Sequence, residues 1–200
     1  VTSDEARTHL AGLGANWARL IEKTGPLSRP IIPDLFEGLV RSFTSQQISV
    51  KAAAAIMGRL RQNCAPLTPE HLLGVPVEEL RAQGLSSKKA EWIQKAARRL
   101  AEGEFDAGLL LRLEDEALVA KLVTLDGVGR WTAEMIALFT LGRDDVLSLG
   151  DLGIRRGLER LYGRSLTKAE MERIRRRASP FGSAASLYLW HLASGGGVAD

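Results

Sequence analysis

The pattern of hydrophobic and polar positions predicts helices along almost the whole chain. Apolar residues recur three or four positions apart, as Leu118 and Leu122 do, which places them on one helix face. Alternating runs rich in Val, Ile and Thr, which are typical of strands, are nearly absent. The short helices predict a compact all-α fold and not a coiled coil. We expect helices at 10–23, 35–43, 50–62, 68–73, 77–83, 88–102, 114–123, 131–141, 151–162, 167–177 and 180–194.

Composition narrows the possible classes of protein without identifying one. The 200 residues are enough for one compact unit or two small lobes, and the net charge of +3 permits a polyanionic partner. The single cysteine, Cys64, excludes a disulfide framework, a Cys-rich zinc site and a four-cysteine iron–sulfur cluster within this chain. No apolar run approaches the roughly 20 residues that cross a bilayer, and the polar stretch Val1–Arg7 predicts no signal peptide.

The most informative stretch is a tight turn between two amphipathic helices, Leu125–Arg130 (LDGVGR). Two glycines, Gly127 and Gly129, allow a sharp turn with positive φ and a close approach by another backbone. The helix after Gly129 presents its first N–H groups and the positive end of its dipole, which suit a phosphate. The alternative is a purely structural turn between helices. A dinucleotide-binding motif is excluded because no strand precedes the turn.

Four motifs in a fixed order carry a resemblance to a known family. The segment Leu125–Ala133 resembles the helix-hairpin-helix of base-excision DNA glycosylases, in which a Gly/Pro-rich stretch and an aspartate follow the hairpin. The other motifs are SQQIS at 45–49, GLSSKKA at 84–90 and GDLGIRRG at 150–157. The chain is most similar to the 3-methyladenine DNA glycosylase II group, which is AlkA- and Mag-like. The resemblance implies an all-α, two-lobed helical bundle with a helix-hairpin-helix and a DNA cleft between the lobes.

The resemblance also implies a domain organisation and a function. Residues 1–33 are expected to pack with the C-terminal lobe, 34–117 to form a helical bundle lobe, and 118–200 to form the lobe with the hairpin and the catalytic aspartate. The implied reaction is hydrolysis of the N-glycosidic bond of alkylated bases, of the 3-methyladenine and 7-methylguanine type, which leaves an abasic site in base excision repair. The implied partner is double-stranded DNA containing damaged bases, and no membrane is involved. The enzyme is expected to be a monomer in the cytoplasm, associated with the nucleoid.

Asp151 is the candidate catalytic residue. It follows a loop and opens a helix, where a carboxylate caps the first-turn N–H groups and the helix dipole favours its ionised form. By resemblance it is the catalytic aspartate of the family. Cleavage of the N-glycosidic bond builds positive charge on the sugar, which a carboxylate beside C1′ stabilises while it orients the attacking water. Asp144 and Asp145 are rival candidates that we interpret as solvated loop residues.

The resemblance assigns a base pocket to Trp131, Met135 and Trp190, for which ordinary core packing is the alternative. Met135 departs from the family, whose bacterial member has an aromatic residue there, and Gly182 departs where the family often has an arginine. Trp131 occupies the position at which bifunctional relatives have a Schiff-base lysine. Without that amine the reaction is expected to stop at an abasic site.

The expected DNA contacts extend beyond the hairpin. By resemblance, Gln47 is the wedge that enters the duplex from the minor groove, although a hydrogen-bonded loop amide is the alternative. The expected DNA-binding residues are Gln46, Gln47, Ser49, Lys88, Gly127, Gly129, Arg130 and Thr132. No cofactor is expected to be required, and the backbone carbonyls of Val123, Leu125 and Val128 are expected to bind Na⁺ or K⁺. The rival functions are a DNA-binding hairpin module without catalysis, and a glycosylase for mismatched or oxidised bases.

Overall fold

The computed structural model describes residues 2–196, and their regular structure consists of thirteen α-helices. The predicted all-α class is therefore confirmed. No helix within these residues is long and apolar enough to cross a membrane. The helices are α1 Asp4–Ala11, α2 Ala15–Thr24, α3 Leu35–Ser45, α4 Val50–Asn63, α5 Pro69–Leu73, α6 Val77–Ala82, α7 Ser87–Ala101, α8 Ala107–Leu111, α9 Asp115–Val123, α10 Arg130–Phe139, α11 Leu152–Tyr162, α12 Lys168–Ala178 and α13 Gly182–Ala193.

Side-chain caps define where many of these helices begin. In each case a short polar side chain accepts a hydrogen bond from the backbone N–H three residues later, which satisfies a donor that has no partner inside the helix. At α12 the cap is reciprocal, because Glu170 also reaches back to the backbone N–H of Thr167. The capping residues are Ser3, Asp34, Ser49, Thr68, Ser86, Asp106, Asp151 and Thr167.

Two parts of the helix prediction were wrong. The prediction missed most of α1, which begins at Asp4. Gly12 ends α1 and Gly14 adopts a φ of 151° before α2, so the helix expected at 10–23 begins only at Ala15. That positive φ lies outside the helical region and favours glycine. The prediction also missed the five-residue helix α8, whose apolar sequence AGLLL has too few residues to show a helical period.

The chain divides into two compact units. The first, called here the Asp151 unit, contains the chain up to Pro30 and the chain from Gly142 onward. Its core is apolar and includes Trp17, Tyr188 and Leu189. The helices α1 and α2 pack against α13, and α2 also packs against α11. The closest packing joins α11 to α13, where a Cβ on Gly157 would collide with the backbone of Leu189.

The second unit, called here the hairpin unit, runs from Ile31 to Leu141. Helix α7 packs against α3, α5 and α6, while α10 packs against both α9 and α3. The division differs from the expected boundary between 117 and 118. The hairpin belongs with α3–α8, and not with Asp151, because α10 contacts α3 in this unit. The DNA cleft expected between lobes stays a prediction.

Candidate active site and nucleic-acid interface

Asp151 is held by two hydrogen-bond donors at the start of α11. Its Oδ1 accepts the backbone N–H of Ile154 at 2.8 Å and the indole Nε1–H of Trp190 at 2.9 Å. The residue is 9% exposed, so most of its surface is shielded from water. Hydrogen bonds to an ionised acceptor are stronger than those between neutral groups. The arrangement therefore presents a carboxylate whose orientation is set by both the backbone and a second helix.

A glycine makes this arrangement possible. A Cβ on Gly153 would lie 2.7 Å from Cδ1 of Trp190 and 3.0 Å from Oδ1 of Asp151, which is closer than side-chain atoms can pack. Glycine at 153 therefore lets the indole reach the carboxylate. Sequence reasoning missed this role, because it depends on Trp190, which lies far along the chain on α13.

The rival aspartates have structural partners. Asp144 is exposed and pairs with Nη2 of Arg29 at 3.2 Å. Asp145 accepts hydrogen bonds from Oγ of Ser179 at 2.5 Å and from the N–H of Gly182 at 3.0 Å, so the interpretation as a solvated loop residue was wrong for Asp145. A Cβ on Gly182 would lie 2.7 Å from Oδ1 of Asp145. The absence of the family's arginine at 182 fits this contact, because the position has no room for a side chain.

Trp190 lines a surface depression in addition to its contact with Asp151. Its side chain is half-buried, and it lines an open depression of about 440 Å³ together with Gly153, Arg156 and His191. Part of the Trp190 side chain packs against the core of the Asp151 unit, and another part faces this depression. The structure therefore brings the predicted residues Asp151 and Trp190 together within the Asp151 unit.

The two hairpin glycines differ in conformation. Gly127 has a φ of 79°, and a Cβ there would enter the indole ring of Trp92. Gly129 has a φ of −86°, and a Cβ there would meet no atom within 4 Å. The expected positive φ is therefore correct for Gly127 and wrong for Gly129. Any residue could adopt the φ of Gly129. Gly127 is needed for packing, whereas Gly129 leaves open space at the start of α10.

Trp92 was missed by sequence reasoning. Its ring lies under Gly127 and is 5.9 Å from the ring of Phe43, and the ammonium of Lys88 lies 5.4 Å from its centroid. Lys88 is exposed, as expected of a residue that contacts a phosphate. The only sequence signal for Trp92 was its place one turn after Lys88 on α7.

The polar residues predicted to bind DNA fall into two groups. Gln47 is exposed, and Ser49 is exposed with its hydroxyl accepting the N–H of Ala52 at 3.2 Å. Gln46 is half-buried, and its Nε2 donates to the carbonyl oxygen of Gly127 at 3.0 Å. The side-chain amide of Gln46 therefore bonds the protein's own hairpin.

The first turn of α10 carries several predicted site residues. Arg130 forms ion pairs with Glu116 at 2.6 Å and Glu134 at 3.0 Å, and these hydrogen bonds and charges raise its pKa above the ordinary value. Thr132 is buried, so a contact with DNA would use its backbone. Trp131 is 43% exposed, and Met135, the other pocket candidate on α10, is half-buried.

The carbonyl groups proposed for a monovalent cation lie at the hairpin. The carbonyl oxygen of Leu125 accepts the N–H of Val128 at 3.1 Å, which leaves a second lone pair that fits a cation ligand. Val123 is the last residue of α9, and Thr124 separates it from this turn. Within residues 2–196 no group of three His, Cys, Asp or Glu side chains could hold a metal ion.

The all-α fold, this hairpin and the buried aspartate that caps α11 are the features of a helix-hairpin-helix protein. Comparison with family models identifies it further, since residues 40–181 match the model described as "HhH-GPD superfamily base excision DNA repair protein". The chain belongs to that superfamily.

Individual relatives agree with the family. DNA-3-methyladenine glycosylase 1 of Schizosaccharomyces pombe is 34% identical over 195 residues, covering 93% of this chain and 86% of that protein. The structure of that yeast's 3-methyladenine DNA glycosylase Mag1, in complex with abasic DNA, superimposes with a TM-score of 0.84 at 34% identity, covering 94% of this chain and 95% of the other. A DNA-3-methyladenine glycosidase from Bacillus halodurans superimposes with a TM-score of 0.87 at 36% identity, covering 96% and 90%.

Proposed function

We propose that this chain is a monofunctional DNA glycosylase that releases alkylated bases from double-stranded DNA in base excision repair. The observation that carries the proposal is the buried Asp151, whose carboxylate is held by the N–H groups of Ile154 and Trp190. Capping α11 explains the hydrogen bond from Ile154, whereas the second donor, Trp190, also lines an open depression, which suits a site that acts on a base. The names of the relatives with 34% and 36% identity indicate the same class of reaction.

The proposed chemistry is hydrolysis of the bond between C1′ and the base nitrogen. The electron pair of that bond leaves with the base, and a water oxygen forms the new bond to C1′. Asp151 stabilises the positive charge that develops on the sugar and orients the water. A base alkylated at N3 or N7 is cationic, so it leaves as a neutral molecule without needing a proton from the protein. The attacking water releases one proton to the bulk solvent as the abasic site forms.

DNA binding is assigned to the exposed surface of the hairpin unit. The first-turn N–H groups of α10 would bind a backbone phosphate, and Gly129 leaves space for that approach. A Na⁺ or K⁺ ion on the carbonyls of Val123, Leu125 and Val128 would add positive charge beside it. Lys88 would contact a second phosphate, and Gln47 would enter the base stack in place of the extruded nucleotide.

The base pocket is assigned to Trp131, Met135 and Trp190. An indole ring can stack on a base, and a cation over an indole gains about 0.5–2 kcal/mol. Trp131 has no amine, so it cannot form a Schiff base with the abasic sugar. We therefore propose base release without strand cleavage, by a monomer acting on nucleoid DNA.

The test is a base-release assay on duplex DNA treated with a methylating agent. We expect 3-methyladenine and 7-methylguanine among the released bases, and strand breaks only after alkali is added. Borohydride should trap no covalent adduct. DNA binding without base release would support a binding module instead. A trapped adduct would show a lyase and would refute the monofunctional mechanism.

A further inference from the structure

The loop between α3 and α4 contains a backbone conformation that needs support. Gln47 has a φ of 58°, and it is the one non-glycine residue with positive φ among residues 2–196. The left-handed region is unfavourable for an L-residue, so such a residue persists only when its neighbours hold it there. The exposed side chain of Gln47 is the one that the proposed function places in the DNA stack.

The carbonyl groups around Gln47 are held by Lys89. Its Nζ donates to the carbonyl oxygen of Gln46 at 2.6 Å and to that of Thr44 at 3.0 Å. Because α3 ends at Ser45, these carbonyls lie at the negative end of its dipole, where a cation is stabilising. One lysine therefore caps the end of α3 and fixes the residue directly before Gln47.

Apart from these two hydrogen bonds, the surroundings of Lys89 disfavour a charged ammonium group. It lies in the first turn of its own helix, α7, where the helix dipole disfavours a cation. Burial lowers the pKa of its ammonium below the ordinary value. Lys88, its neighbour, keeps its ammonium at the exposed surface near Trp92. Adjacent lysines of one motif thus have different surroundings.

Gln46 extends this support to the hairpin. Its backbone carbonyl accepts from Lys89, while its side-chain Nε2 donates to the carbonyl oxygen of Gly127 at 3.0 Å. Gly127 in turn lies against the ring of Trp92. A continuous series of contacts therefore joins α7, the loop at 46–49 and the hairpin within one unit.

We propose that Lys89 is a positioning residue for base extrusion, which acts by tying the Gln47 loop to the hairpin through Gln46. The inference rests on the proposed function, in which Gln47 is the wedge and the hairpin binds a phosphate. Phosphate contacts fix the register of the protein on the duplex. With the loop bonded to the hairpin, Gln47 is held at a set distance from the bound phosphate, opposite the nucleotide to be extruded. Lys89 itself touches no DNA.

The test compares Lys89→Met with Lys88→Met. Extrusion is followed by the fluorescence of 2-aminopurine placed beside the lesion, and affinity for an undamaged duplex is measured at several salt concentrations. For Lys89→Met we expect extrusion and base release to fall about tenfold or more, with affinity for undamaged DNA within about twofold and an unchanged salt dependence. For Lys88→Met we expect weaker binding and a salt slope lower by about one, as for a lost phosphate contact, with normal extrusion once bound.

Further variants provide a charge control and a second way to break the series of contacts. Lys168→Met, an exposed lysine of α12 outside the proposed site, controls for the loss of one positive charge. If Lys89→Met fails to fold, Gln46→Leu breaks the same series of contacts at its next step and should show the same loss of extrusion. Normal extrusion by folded Lys89→Met or by Gln46→Leu would overturn the inference. Normal extrusion by Gln47→Ala would instead refute the wedge assigned in the proposed function.

Discussion

Glycines serve opposite purposes in the two functional regions of this molecule. In the Asp151 unit, Gly153 lacks a side chain so that the indole of Trp190 can close onto the carboxylate. In the hairpin unit, Gly129 lacks a side chain, and the space that its Cβ would occupy is open. The first region shields a charge whose effect depends on exclusion of water. In the proposed function, the second exposes backbone N–H groups to DNA phosphates, which are the same in every base sequence.

The largest effect is expected at the shielded region. Asp151→Asn keeps the shape of the side chain and removes its negative charge, so base release should fall by about 10³-fold or more. Because the hairpin unit is unchanged, affinity for lesion-containing DNA should be retained or improved. Single-turnover release and equilibrium binding measured on the same duplex separate the two effects. Residual release within tenfold of the unmodified protein would remove Asp151 from the mechanism.

Gly153→Ala tests whether that region depends on the closeness of Trp190. The new Cβ would displace the indole from Oδ1 of Asp151, and a hydrogen bond to a charged group contributes about 1.5–3 kcal/mol. We expect release to slow by about 10- to 100-fold with little change in DNA affinity. The matched control is Gly150→Ala in the same motif, because a Cβ at 150 meets nothing within 4 Å and should change neither quantity. Equal behaviour of the two variants would contradict this account of Gly153.

Trp190→Phe addresses the same hydrogen bond from the other partner. The substitution removes the indole N–H and keeps an aromatic ring, while Ile154 still donates to Asp151. Release should therefore slow by about tenfold, at the low end of the loss of a charged hydrogen bond. Single-turnover rates for Trp190→Phe and Trp190→Ala separate the roles. If the ring alone matters, Trp190→Phe should match the unmodified protein.

At the exposed region, Gly127 and Gly129 should respond differently. Gly129→Ser fits the backbone at 129, and its hydroxyl would cap the N–H groups that bind phosphate. We expect unchanged thermal stability and binding weakened about tenfold for damaged and undamaged DNA alike, because phosphate contacts carry no base identity. Gly127→Ala should instead lower the stability of the protein, because of its positive φ and its contact with Trp92. A changed lesion preference in Gly129→Ser would contradict this assignment.

Sequence patterns predicted the parts of the molecule that are local in the chain. Helix periodicity and the cap at Asp151 were confirmed, because both depend on residues a few positions apart. Contacts between distant segments left no local signal. The hydrogen bond from Trp190 to Asp151 joins residues 39 positions apart in the sequence. The hydrogen bond from Gln46 to Gly127 joins residues 81 positions apart. Sequence reasoning therefore missed the hydrogen bond from the Gln46 amide to the hairpin, and the DNA contact expected of Gln46 stays a prediction.

The most direct test of the central claim is a comparison of substrates in matched duplexes. Alkylation at N3 or N7 already weakens the glycosidic bond, and none of the three residues assigned to the base, Trp131, Met135 and Trp190, can act as a general acid. Single-turnover release of 3-methyladenine and 7-methylguanine should therefore be faster than release of hypoxanthine, which is neutral. The indole rings alone favour a cation by about tenfold at most, and leaving-group ability should supply the remainder. Hypoxanthine released as fast as the cationic bases would contradict the account.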